Sequence, residues 1–92
     1  MITAFLLIVC EPAGIAETGR RLSDVPGIAE VYSTTGDRDF IAVVRVPDLE
    51  ALATLVTERV AALPGVRRTD THLAIRSYGR ADEAAAFDIG VD

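Results

Sequence analysis

A ten-residue pattern centred on Pro-Gly occurs twice in this chain, and the repetition restricts the fold more than any other feature. Leu22-Ser23-Asp24-Val25-Pro26-Gly27-Ile28-Ala29-Glu30-Val31 returns as Val60-Ala61-Ala62-Leu63-Pro64-Gly65-Val66-Arg67-Arg68-Thr69, 38 residues later. In each copy the stretch before Pro-Gly reads as the end of a helix and the stretch after it as the start of a strand. The offset is too long for a coiled-coil repeat and fits one β-α-β unit. Two such units in tandem account for most of a 92-residue chain, so a single small domain is expected.

The remaining elements fall into place around the repeat. Thr3 to Cys10 reads as a buried strand, closed by Glu11-Pro12. Pro12 suits the entrance of a first helix, with Ile15, Gly19 and Leu22 on one face. Gly14 and Gly19 each weaken that helix by roughly 1 kcal/mol relative to Ala, and Gly19 is expected to let the helix approach the sheet closely. Ile28 to Thr35 and Phe40 to Val46 form a second and third strand, joined by Gly36-Asp37-Arg38-Asp39 and therefore antiparallel. Asp48 is a candidate N-cap for a second helix whose apolar stripe is Leu49, Leu52, Ala53, Val56, Val60 and Leu63. Pro64-Gly65 stops it, and Val66 to Tyr78 reads as a long fourth strand.

The order βαββαβ is the ferredoxin-like α+β arrangement, a four-stranded antiparallel sheet with both helices on one face. Residues 1–79 make up this domain. Residues 80–92 are expected to be a C-terminal extension, a short helix or strand serving as an interface arm, with Phe87, Ile89 and Val91 alternating.

A strand covered on one face alternates apolar and polar residues. Ala4 to Cys10 and Phe40 to Val44 do not: Phe5, Leu7 and Val9 point one way, Ala4, Leu6 and Ile8 the other. The second face needs a cover, and a second subunit packed sheet to sheet supplies it. A homodimer is expected, one able to build up to octamers or decamers.

Composition removes several functions. The longest unbroken apolar run is far below the ~20 residues that cross a bilayer, and Met1-Ile2-Thr3 has no positive leader region. No membrane association is expected, and the cytoplasm is the default location. The single cysteine, Cys10, excludes an intrachain disulfide and a cysteine-based metal cluster. No cofactor or metal is expected. A net charge of −5 argues against direct nucleic-acid binding. One histidine without an orienting partner makes no general base, so no catalysis is expected.

Ser33-Thr34-Thr35-Gly36-Asp37-Arg38-Asp39 carries two carboxylates, three hydroxyls and a glycine. The same residues would also serve an ordinary hairpin turn, Gly36 for its permissive backbone and the aspartates for local hydrogen bonds. Val31-Tyr32-Ser33-Thr34-Thr35-Gly36-Asp37-Arg38-Asp39-Phe40, preceded by Val25-Pro26-Gly27-Ile28, resembles the signature V-[YW]-x-x-T-G-x-x-D-[YF] of the Lrp/AsnC effector-binding (RAM) domain. Leu63-Pro64-Gly65-Val66-Arg67-Arg68-Thr69-Asp70-Thr71 is similar to the family's P-G-V-x-x-T-x-T segment. The resemblance covers roughly residues 2–79.

The resemblance implies an amino-acid-sensing module in transcription regulation, a dimer packed through its sheets, and an effector pocket between neighbouring dimers near the second hairpin. Full-length members carry a helix-turn-helix domain ahead of this module. Here the first strand begins at residue 2, so a stand-alone form is expected, with full-length Lrp/AsnC regulators as further candidate partners. The ligand is then a free amino acid or similar small polar metabolite. Its ammonium would meet Asp39, and its carboxylate the backbone N–H groups around Gly36. Ser33, Thr35 and Asp37 line the same turn, and Thr69 and Thr71 share one face of the fourth strand. A turn carboxylate such as Asp39 is expected to add little to the core. The alternatives are a small cofactor-free enzyme of the dimeric α/β-barrel type, with His72 or Tyr32 in a pocket between sheet and helices, and a purely structural partner of the full-length regulators.

Overall fold

The computed structural model of the protein describes residues 1–79; the expected extension over 80–92 lies outside the described residues. The elements are β1 (Ile2–Cys10), α1 (Ile15–Ser23), β2 (Ile28–Ser33), β3 (Phe40–Val46), α2 (Leu49–Thr54) with a π-helical continuation (Leu55–Val60), and β4 (Val66–Leu73). The sheet order is β2-β3-β1-β4 with every neighbouring pair antiparallel. This is the expected ferredoxin-like α+β fold, with β1 and β3 at its centre.

Strand alternation decides where the core sits. Ala4, Leu6, Ile8 and Cys10 of β1 are buried with Phe40, Ala42, Val44 and Val46 of β3, and Leu22, Val25, Leu52, Leu55 and Val60 close over them from the helical side. Gly19 does what its position suggested. A Cβ there would stand 3.0 Å from two carbons of the Phe40 ring, so α1 rests directly on that ring.

Four sequence expectations shift. α1 begins at Ile15 rather than at Pro12, because Gly14 takes a left-handed conformation (φ 73°) and turns the chain at that point. The second helix keeps its N-cap, Asp48 Oδ1 accepting from the Ala51 amide at 2.8 Å, but its stripe differs. Leu49 and Ala53 face solvent and Leu55 is buried instead. The π-helical stretch accounts for the phase beyond Leu55: an i→i+5 ladder, seen where the Ala61 amide donates to the Val56 carbonyl, puts Leu55 and Val60 on one face although they are five residues apart. β2 stops at Ser33, two residues short of Thr35. β4 ends at Leu73 instead of Tyr78. Its partner β1 runs out at Ile2, so after the Ala74 amide reaches the Thr3 carbonyl no strand remains to pair with.

Candidate functional site: the β2–β3 hairpin

The hairpin between β2 and β3 is held at its base by four bonds. The Thr34 amide donates to the Asp39 carbonyl at 3.1 Å, and the Thr34 hydroxyl to the Arg38 carbonyl at 2.9 Å. The Asp39 amide donates to the Ile8 carbonyl at 2.8 Å. Beyond Ile8, β1 has no further partner in β3. Asp39 fills that gap with its side chain, Oδ2 accepting from the Cys10 amide at 2.7 Å. A carboxylate therefore continues the ladder one step past the end of the strand. Asp39 is thus more than a loop acid, contrary to the expectation that it adds little to the core.

The tip is open. Gly36 adopts φ 98°, a left-handed backbone that L side chains rarely take, and a Cβ there would meet nothing within 4 Å. Asp37 is almost fully exposed, with Oδ1 3.8 Å from Arg38 Nε. Ser33 and Thr35 flank the turn. Asp39 Oδ1 makes no bond to any described residue, which leaves one anionic oxygen at the base of an open turn.

Thr69 and Thr71 do not join this group within one chain. Register aligns Ser33 with Phe40, Phe40 with Ile8, and Ile8 with Thr69, so Ser33 and Thr69 stand on opposite edges of the sheet. Three strand spacings separate them, roughly 14 Å. The buried Phe40 and Ile8 lie in between.

The other face of the sheet carries Tyr32, Ile41, Val43, Phe5, Leu7 and Val9, with Arg68, Asp70 and His72 along β4. No described helix covers it: Phe5 is 38% and Tyr32 53% exposed. Tyr32 donates to Glu30 Oε1 at 3.1 Å, and that bond, with the glutamate's charge, pushes the phenol above its ordinary range. His72 and Tyr32 therefore point away from the helices, which removes the pocket the α/β-barrel enzyme alternative required. Sequence reasoning also missed an ion-pair chain on this face. Arg38 Nη2 lies 3.6 Å from Asp70 Oδ2, and His72 Nε2 lies 3.3 Å from the same oxygen. The one available signal was the i, i+2 spacing of Asp70 and His72.

Two clefts lie at the opposite end of the sheet. The larger, about 630 Å³, runs along Pro26-Gly27, Val46-Pro47-Asp48 and Arg59. The smaller, about 400 Å³, shares Pro26 and Arg59 with it. Neither includes a hairpin residue.

Comparison with known proteins places this geometry. Among solved structures, TTHA0845 from Thermus thermophilus superposes with a TM-score of 0.82 at 45% identity, over 87% of this chain and all of that one. The regulatory protein Rv3291c of M. tuberculosis, solved with L-methionine, matches at TM-score 0.73 and 24% identity, over 87% of this chain and 54% of its own. The transcriptional regulator FL11 of Pyrococcus furiosus is 32% identical over 82 residues, 89% of this chain and 54% of FL11. FL11 of Pyrococcus horikoshii is 30% identical over 80 residues, 87% of this chain and 52% of that one. The chain spans about half the length of these curated relatives. Residues 3–83 match the Lrp/AsnC ligand binding domain, and with the hairpin signature and the βαββαβ topology this makes the chain a member of that family.

Proposed function

We propose that this chain is a small-molecule sensor of Lrp/AsnC type that binds a free amino acid, or a similar small polar metabolite, at the hairpin from Ser33 to Asp39. The observation that carries the reading is Asp39. One carboxylate oxygen is fixed by the Cys10 amide at 2.7 Å, and the other is left without a bond to any described residue. An ammonium group is the natural partner for that oxygen. Thr35 and the backbone around Gly36 offer donors for a carboxylate, and Ser33 and Asp37 stand at the rim. Thr69 and Thr71 contribute only from a neighbouring subunit. L-Methionine in the solved complexes of Rv3291c and of NMB0573 from Neisseria meningitidis supports the ligand class.

The uncovered sheet face supports a homodimer stacked through Phe5, Leu7, Ile41 and Val43, a base for octamers or decamers. Full-length Lrp/AsnC regulators are further partners, so the module acts in transcription regulation. With a net charge of −5, it does so without sequence-specific DNA binding of its own. Few polar contacts hold the ligand, so affinity is modest, about 10 µM to 1 mM.

A thermal-shift screen of the twenty amino acids tests the reading, with Asp39→Asn as the control. The amide retains an acceptor for Cys10 and loses the charge. At least one amino acid is expected to raise the melting temperature of the wild type and not of the variant. No response from any of them, or an equal response from both proteins, sinks the assignment in favour of a structural partner of the full-length regulators.

A further inference from the structure

We infer that residues 74–79 form an arm that pairs with the outer edge of β2 in a second copy of this chain. Val66 to Tyr78 reads as one strand in the sequence, yet the ladder stops at Leu73. The Ala74 amide still reaches the Thr3 carbonyl at 2.9 Å, and β1 begins one residue further on, at Ile2. No described strand lies beside residues 75–79. The strand character of the sequence thus outlasts the partner that this chain supplies.

The side chains there are the ones water covers worst. Ile75 is 91% exposed and Tyr78 81%, above every other large apolar side chain among the described residues, and Leu73 adds 42%. Single exposed apolar residues are ordinary on a protein surface. Three of them within the last few positions of an edge strand mark a contact. Isoleucine and tyrosine are also strand-favouring types.

The occupant follows from the edges. The described sheet has two unpaired edges, β4 itself and β2. Within one chain β2 lies three strand spacings from β4, roughly 14 Å away across β1 and β3, so the β2 that receives the arm belongs to another molecule. β2 runs over six residues, Ile28–Ser33, beside β3 alone, and its length matches that of the arm. The charges match as well. Arg76 has no ion pair among the described residues, and Glu30 of β2 accepts only from the Tyr32 hydroxyl. A two-fold axis pairs each arm with the other copy's β2 and leaves neither β2 edge open.

Sheet stacking alone is also undersized. Four strands of about seven residues present a flat face of roughly 450 Å², against roughly 800 Å² per partner in a stable interface. The arm supplies further apolar area, a tyrosine alone burying about 150–250 Å². The inference deepens the proposed homodimer and rests on it for bringing β2 of one copy within reach of the other's arm.

Sedimentation equilibrium on the full chain tests the arm by comparing wild type with the double variant I75S/Y78S. Both side chains are exposed in the single chain, so the variant should keep its fold, which far-UV circular dichroism checks. Its dimer dissociation constant should rise about tenfold or more, the loss expected when apolar anchors leave an interface. In wild type mixed from labelled and unlabelled chains, isotope-filtered NOEs should connect the Tyr78 ring to β2 of the second copy. A folded double variant that dimerises as tightly as wild type overturns the arm and leaves sheet stacking standing. So do Tyr78 NOEs confined to its own chain, or directed to any surface of the second copy other than β2. A wild type that is monomeric at micromolar concentration overturns the homodimer, and the arm with it.

Discussion

The two faces of the sheet are built from the same strands and are nearly equally apolar, yet they have different fates. On one face Leu6, Ile8 and Val44 are fully buried under α1, α2 and its π-helical continuation. On the other, Phe5 and Tyr32 stand open, and charged residues gather along β4, with Glu30 on β2 and Arg45 on β3. Apolar composition alone does not distinguish a core from an interface; what covers it does. An exposed apolar face on a chain this small points to a partner of the same kind.

Substitutions on the two faces should therefore fail in different ways. Leu6→Ala on the covered face should cost roughly 2–5 kcal/mol in a urea melt, as expected for truncating a fully buried leucine. The loss should appear at every protein concentration. An effect under about 1 kcal/mol would mean that this face is not the core.

Phe5→Asp on the open face should change assembly first. Wild type is expected to run as a dimer or larger in light scattering, and the variant to fall toward the 9.8 kDa monomer. A wild-type monomer at micromolar concentration would remove the case for sheet stacking. A variant that stayed dimeric would move the interface elsewhere.

The smallest expected effect sits at Cys10, which ends β1 on the covered face. Burial pushes its thiol above the ordinary value of 9.0, and the Asp39 carboxylate adds to the shift. The folded state thus favours the neutral thiol. Raising a thiol's pKa on folding makes the unfolded state lose its proton first, so stability falls once pH climbs past that ordinary value. Thermal melts of wild type should decline more steeply than those of Cys10→Val between about pH 8.5 and 10. Parallel declines would show that the thiol stays unionised in both states or is more exposed than the fold implies.

Much of this comparison was legible in the sequence because it depends on local periodicity. The Pro26-Gly27 and Pro64-Gly65 repeat marked both helix ends, and the lack of alternation in β1 foretold two apolar faces. Gly19 announced a close approach, and Asp48 its cap. Features set by register or by tertiary contact were hidden. The end of β4 depends on where β1 stops, and nothing in Val66 to Tyr78 marks it. The π-helical turn brings Leu55 and Val60 to one face five residues apart, a spacing that the 3.6 period does not give. In the site, the open turn at Gly36 could be read from residue types. The bond from Cys10 to Asp39 and the reach of Arg38 to Asp70 join residues distant in sequence, and no spacing rule connects them.

Backbone-amide NMR with the amino acid that gives the largest thermal shift tests the sensor reading most directly. Chemical-shift changes should concentrate on Thr34 to Asp39 and on the Cys10 amide, whose partner Asp39 would share its carboxylate with the ligand. Changes centred instead on Pro26-Gly27 and Arg59, with the hairpin amides unmoved, would place the ligand in the cleft at the opposite end of the sheet and contradict the assignment.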